Sequence, residues 1–214
     1  MKRDFSKAKI WAAAEILVLL LLPLPFFKLN VIYLVAALGI TLSSKFIRKE
    51  TWSDVGFLKV ATKRLLLAAA IGLVYGVVDN FLIEPVITRI VGAEPDLSAY
   101  EGIKGSFSGL ILVLFLGWFV GGLFEEYFYR GYLFNRMRIL ISNPTLYKSA
   151  TILITSVVFA FAHNYQGIGG ITGTFLFSIV MGLLYFGLAK NVWYLVLIHG
   201  FYDTVGIFRL YLGA

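Results

Sequence analysis

Glu125 and Glu126 stand side by side at the end of a run, Phe107 to Phe124, that holds no charged residue, and Arg130 follows them. A charged side chain at the centre of a membrane helix costs roughly 2.5–3.5 kcal/mol, so ionisable groups in such a setting mark a site. Two adjacent carboxylates repel and call for a proton or a cation close by. The only two histidines of the chain, His163 and His199, also lie in apolar segments, and Asp203 follows His199 by one helical turn. A carboxylate and an imidazole that share a water can take its proton as it attacks a carbonyl. Hydrogen-bond donors aimed at the developing negative charge work best in a dry site. The same groups could instead hold zinc through Glu125, His163 and His199, with one position open for water.

Spacing separates the two glutamates. Glu126 and Arg130 are four residues apart, share a helix face and can pair. Glu125 is turned by about 100° from its neighbour, so it can point into a bundle while Arg130 neutralises Glu126. This division makes Glu126 structural and Glu125 chemical; the reverse stays open, because Arg130 could reach either acid. A blander alternative is a solvated helix end, since Arg130 follows so closely. Phe159 lies one turn before His163, beneath the imidazole. His199 and Asp203 form a histidine–carboxylate pair that could catalyse, or could simply join two helices.

The elements that must position these groups follow from composition. The chain has 214 residues, 59% of them hydrophobic and 14% charged, with a mean hydropathy of +0.85, well outside the range of soluble domains. An all-α polytopic membrane bundle is expected. The net charge of +7 falls in short connectors between apolar runs, which fits phospholipid headgroups rather than nucleic acid. Zero cysteines exclude disulfides, thiolate zinc sites and a cysteine nucleophile.

Apolar segments at 10–27, 30–46, 65–84, 107–129, 150–164, 171–189 and 191–212 predict about seven transmembrane helices. The chain divides into an N-terminal hairpin with its basic connector, 1–64, and a core, 65–214. Lys2, Arg3, Lys7 and Lys9 precede the first run, which lacks a small-residue cleavage site before Phe26, Phe27, Lys28 and Leu29, so it is expected to stay uncleaved. The connector with Lys45, Arg48, Lys49, Lys59, Lys63 and Arg64 is placed in the cytoplasm, with Trp52 and Phe57 as interfacial anchors. Arg130, Arg136, Arg138 and Lys148 mark the next return to that side, and Lys190 the last. The connector from Pro85 to Ser106, with Glu94, Asp96 and Glu101, faces the other side. The N-terminus is thus expected inside and the C-terminus outside. Gly72-x-x-x-Gly76 and Gly117-x-x-x-Gly121 offer close helix approach, and Asp79 and Glu84 are expected to be structural or interfacial.

Glu-Glu-x-x-x-Arg, then Phe-x-x-x-His, then His-x-x-x-Asp, in that order and each on its own helix, resembles the CAAX-protease and bacteriocin-processing (CPBP, or Abi) membrane protease family over residues 107–205. The connector from Trp52 to Gly56 also resembles the segment that often precedes that core. The resemblance implies an intramembrane endopeptidase of the glutamyl type, CAAX-type in class. Glu125 and His163 would activate a water; His199 and the residue at 203 would stabilise the oxyanion. Glu126, Arg130 and Phe159 would support them.

Position 203 is Asp where the prenyl-protein-processing members have Asn. An ionised aspartate cannot donate to an oxyanion, so Asp203 is expected to accept from His199 and fix that ring. The sequence stops about ten residues after Asp203, so the final helix found in some relatives is expected to be absent. A helix starting at Ser149 would put His163 about 21 Å deep, deeper than Glu125 on the same reckoning. No cofactor is predicted, zinc remaining the alternative. The expected partners are the lipid bilayer and a membrane-associated peptide or protein substrate cut near the cytoplasmic face. The expected location is the bacterial plasma membrane. A non-catalytic scaffold or immunity protein is the competing class, and a proton-coupled transporter a weaker one, as no repeat of helices is evident.

Overall fold

The computed structural model describes residues 5–21 and 30–213. Lys2, Arg3 and the end of the first apolar run at Phe27 lie outside the described residues. Among the described residues seven longer helices form: α1 (Phe5–Leu21), α2 (Asn30–Ile47), α3 (Thr62–Val91), α4 (Phe107–Leu140), α5 (Pro144–Ala162), α6 (Gly167–Gly187) and α7 (Val192–Leu212). No strand occurs among the described residues. The last five helices are each long and apolar enough to cross a membrane; within α2 the apolar stretch is the shorter Tyr33–Ile47. The bundle is all-α and polytopic, as expected.

In lipid every backbone polar group must be satisfied within the protein, which favours helices. Their ends are set by local side chains. Ser106 Oγ accepts from Gly109 N ahead of α4, Asn143 Oδ1 from Leu146 N ahead of α5, and Asn191 Oδ1 from Trp193 N ahead of α7. Gly92 and Gly213, at φ 76° and 73°, close α3 and α7 in the left-handed conformation that glycine adopts without strain. Leu66, Val74, Phe81, Ile111, Phe115 and Phe119 are exposed on α3 and α4, the outward apolar surface that a bilayer covers. The buried core instead gathers Phe128, Phe134, Phe159, Phe177, Leu195 and Ile198 from α4 to α7.

Two features depart from the expected segments. α3 runs to Val91 rather than ending near Glu84, through a π-bonded stretch from Asp79 to Ile83. α4 runs on to Leu140, and from Gly117 to Leu133 its backbone is bonded i→i+5; such widened turns occur mostly at functional sites. Arg130 and Arg136 therefore sit inside a helix and not in a connector, and both are fully buried.

Arg136 is bound by acids from the N-terminal part. Its Nε donates to Glu15 at 2.7 Å, and its two terminal nitrogens donate to Glu50, each at 2.7 Å. Glu15 also accepts from Arg48 and Tyr132. The N-terminal hairpin and its connector are thereby fastened to the core. The connector docks through its backbone too, where Gly56 O accepts from Val192 N and Trp52 packs against Phe57 and Tyr127.

Small residues set the closest helix crossing. A Cβ on Gly72 would meet Ile198 O at 2.5 Å, and one on Gly76 would meet Val205 Cβ at 2.9 Å, so α3 lies directly on α7. On α4, a Cβ at Gly121 would meet Asp203 Oδ2 at 2.6 Å. The second glycine pair thus brings α7, with both His199 and Asp203, against the helix that carries Glu125.

Candidate active site

Glu125 lies inside α4, His163 just past the end of α5, and His199 with Asp203 on α7. The fold brings all four to one cavity of about 760 Å³. Glu125 stands between the imidazoles: Oε1 is 4.0 Å from His163 Nε2, and Oε2 is 4.0 Å from His199 Nε2. These separations exceed a direct hydrogen bond and leave the facing polar atoms free to share a third group.

Each ring is held by its other nitrogen. His163 Nδ1–H donates to the Phe159 carbonyl at 2.8 Å, and the buried Phe159 ring packs on the imidazole with centroids 4.6 Å apart. The tautomer follows from a carbonyl being able only to accept, and it turns the lone pair of Nε2 toward Glu125. His199 Nδ1–H donates to Glu126 Oε1 at 2.8 Å. Its Nε2 is 3.6 Å from Asp203 Oδ1, too far for a good hydrogen bond. The expectation that Asp203 orients His199 is thus corrected. Glu126 holds the ring, while Asp203 sits beside the nitrogen that faces the cavity.

Glu126 is also the ion-pair partner expected from spacing. Arg130 Nη1 donates to its Oε1 at 2.9 Å, and both side chains are fully buried. Arg130 Nη2 donates onward to Ser178 O and Ser178 Oγ on α6, and its guanidinium lies over the Phe159 ring at 5.3 Å. One arginine thus joins α4, α5 and α6 around the histidines. The solvated helix end is excluded, because α4 continues for more than two turns beyond this pair.

The expected depth mismatch does not keep the two groups apart: α5 starts at Pro144, α4 continues to Leu140, and Glu125 and His163 approach to 4.0 Å. Asp79 and Glu84 line the same cavity. Asp79 Oδ2 accepts from Tyr202 at 2.6 Å, and Glu84 pairs with Arg209 at 3.2 Å. Sequence reasoning missed Ser178, whose role depends on an arginine from another helix and leaves no local spacing signal. It also missed the link from Glu126 to His199.

Zinc would require its ligands to converge on one point. Among the described residues no three His, Asp or Glu side chains are grouped as a metal ion's ligands are.

Residues 107–205 match the model of a family described as type II CAAX prenyl endopeptidase Rce1-like. The match spans the motif residues from Glu125 to Asp203, and over that segment the chain is similar to the CAAX-protease family. Neither the curated proteins nor the solved structures gave a match.

Proposed function

We propose that this protein is an intramembrane endopeptidase of the bacterial plasma membrane that cuts a membrane-associated peptide or protein with a water activated by Glu125 and His163. The observation that carries the reading is the position of one carboxylate between two imidazoles whose outer nitrogens are already engaged. A water in the gap donates one hydrogen to Glu125 and the other to His163 Nε2. As its oxygen attacks the scissile carbonyl carbon, Glu125 takes the proton. The carbonyl oxygen becomes an oxyanion and accepts from Nε2–H of His199 in its imidazolium form, whose Nδ1–H stays on Glu126. Collapse of the tetrahedral intermediate breaks the C–N bond, and Glu125 returns its proton to the leaving amine.

Asp203 balances the imidazolium charge from the cavity side. Glu126, Arg130 and Phe159 are positioning residues, since they act through the rings they hold. Preorganised donors of this type contribute about 2.7–4 kcal/mol each in other proteases, which sets the scale for His199. The test is to compare membrane peptides from cells with the native protein and with Glu125→Gln, which keeps shape and removes the base. Peptides that shorten only with native protein support the reading. An identical peptide set, with the variant present at native level, refutes it.

A further inference from the structure

We propose that Asp79 gives the catalytic cavity a preference for a substrate that carries a lysine or arginine side chain close to the scissile bond. The proposal rests on the proteolytic reading for the cut itself, and on the cavity alone for recognition of the cation.

Asp79 is an acid in the interior of α3, where the preceding stretch from Leu65 to Val78 carries no charge. An ionisable group in such a helix is costly, faces the bundle interior or a cavity, and calls for a partner of opposite charge. Asp79 lines the catalytic cavity, and the backbone there is unusual. Glu84 N donates to Asp79 O, five residues back, so the stretch from Asp79 to Ile83 is π-bonded. In an α-helix residues five apart are turned by about 140° from one another. The wider turn draws Asp79 round toward Asn80 and Glu84, and all three line the cavity. Turns of this kind occur mostly at functional sites. Gly76 fixes the approach: an added Cβ would lie 3.0 Å from Tyr202 O, so α3 is seated on α7 just ahead of Asp79.

The two acids of this turn differ in how their charge is met. Arg209 Nη1 donates to both oxygens of Glu84 and to Asn80 O, each at 3.2 Å. That guanidinium is engaged by Glu84. Asp79 Oδ2 accepts from Tyr202 OH at 2.6 Å. Its Oδ1 accepts no hydrogen bond among the described residues, and no Lys or Arg among them forms an ion pair with it. The shared structural role expected of Asp79 and Glu84 therefore separates: Glu84 has its cation within the chain, and Asp79 has a hydroxyl.

A substrate supplies the missing cation. The Tyr202 ring lies 4.5 Å from that of Phe177, which lies 4.7 Å from the His199 ring. Asp79 is thus two ring contacts from the imidazole that would receive the oxyanion. An extended peptide advances about 3.3 Å per residue, and lysine and arginine carry their charge on long stems. A residue a few positions from the scissile bond therefore reaches Oδ1 while the carbonyl stays at His199. The Tyr202 bond to Oδ2 is kept. A glutamate at the same place would meet a like charge.

The test uses purified protein in mixed micelles. Peptides of alanine, leucine, serine and threonine, acetylated and amidated at their ends, carry one scanned lysine, arginine, norleucine or glutamate, so only a side chain offers charge. A hydrogen bond between charged groups supports at least a tenfold effect. At one scanned position the native protein should cleave lysine and arginine peptides with kcat/KM at least tenfold above norleucine, with glutamate below it. In Asp79→Asn the lysine-to-norleucine ratio should fall to near one, and in Asp79→Lys glutamate should overtake lysine. Gly173→Ala, another change in the cavity wall, where an added Cβ meets nothing within 4 Å, should keep the native ratio. Each ratio is taken within one protein, so a partly unfolded variant still reports. A native ratio near one at every position, or the native ratio preserved in Asp79→Asn, overturns the proposal. Fluorescently labelled copies binding to Glu125→Gln should show the same preference in Kd, lost on adding Asp79→Asn. Preferential binding without cleavage by native protein would refute proteolysis and uphold the recognition; cleavage without preference would do the reverse.

Discussion

Truncating Glu126 to alanine should unfold the site, whereas changing Glu125 should silence it. Glu126 is fully buried and faces a fully buried Arg130. Removing one partner of such a pair leaves an uncompensated charge and costs about 3–5 kcal/mol. The lost bond to His199 Nδ1 involves a charged group and is of the order of 1.5–3 kcal/mol, though the two losses share one carboxylate and will not add. A domain is stable by only about 5–15 kcal/mol, so Glu126→Ala removes a large part of the total. Unfolding free energy in mixed micelles, followed by titration with a denaturing detergent, measures it. Glu125→Gln should stay close to native stability, because that side chain faces a cavity and its nearest charged partners lie 4.0 Å away, beyond direct hydrogen-bond distance. Pairing Glu126→Ala with Arg130→Met should recover part of the loss, since replacing a buried pair by apolar groups is often neutral. Native stability in Glu126→Ala, or equal destabilisation by Glu125→Gln, would refute the unequal division of the two glutamates.

Other outcomes follow from the same geometry. His163→Ala should reduce cleavage by about 10²–10⁴-fold, the usual scale for a general acid–base group, with protein level unchanged on a blot. Incubation with a strong chelator should leave cleavage intact in purified protein; loss on chelation and rescue by added zinc would favour zinc held by Glu125, His163 and His199. Gly72→Val, pressed against Ile198 O at 2.5 Å, should destabilise by about 1–3 kcal/mol or more, while Gly173→Ala should be neutral in the same titration. Arg136→Ala should release α1 from its acids, read as faster proteolytic clipping of the N-terminal hairpin.

What could be read from sequence was what depends on local spacing. Glu126 and Arg130 pair as their four-residue interval predicts, and the Phe159–His163 contact follows from the same rule. Glycines four apart correctly marked the crossings of α3 and α4 with α7. Arg136 was not legible: a basic residue at the end of an apolar run looks like a connector charge until Glu15 and Glu50 arrive from far away in the chain. The same holds for His199, whose nearest acid in sequence is Asp203 but whose hydrogen bond goes to Glu126 on another helix. The end of α4 was misread because Arg130, the first cation after the apolar run, looks like the start of a connector, whereas it is buried and bound to Ser178 on α6.

The widened turns of α4 give the adjacent glutamates a further meaning. A helix bonded i→i+5 from Gly117 onward holds more residues per turn than its α-helical neighbours, so it is a place where chain length and angular register can be traded. Loss of one residue ahead of Glu125 would rotate everything downstream by one residue's step, somewhat less than the roughly 100° of an α-helix. Glu126 would then arrive at the angle that Glu125 holds, and a carboxylate would still face the histidines. Arg130 would swing off Ser178 in the same step. A doubled acid therefore tolerates a slip in register, and the arginine lock is what makes one register the working one.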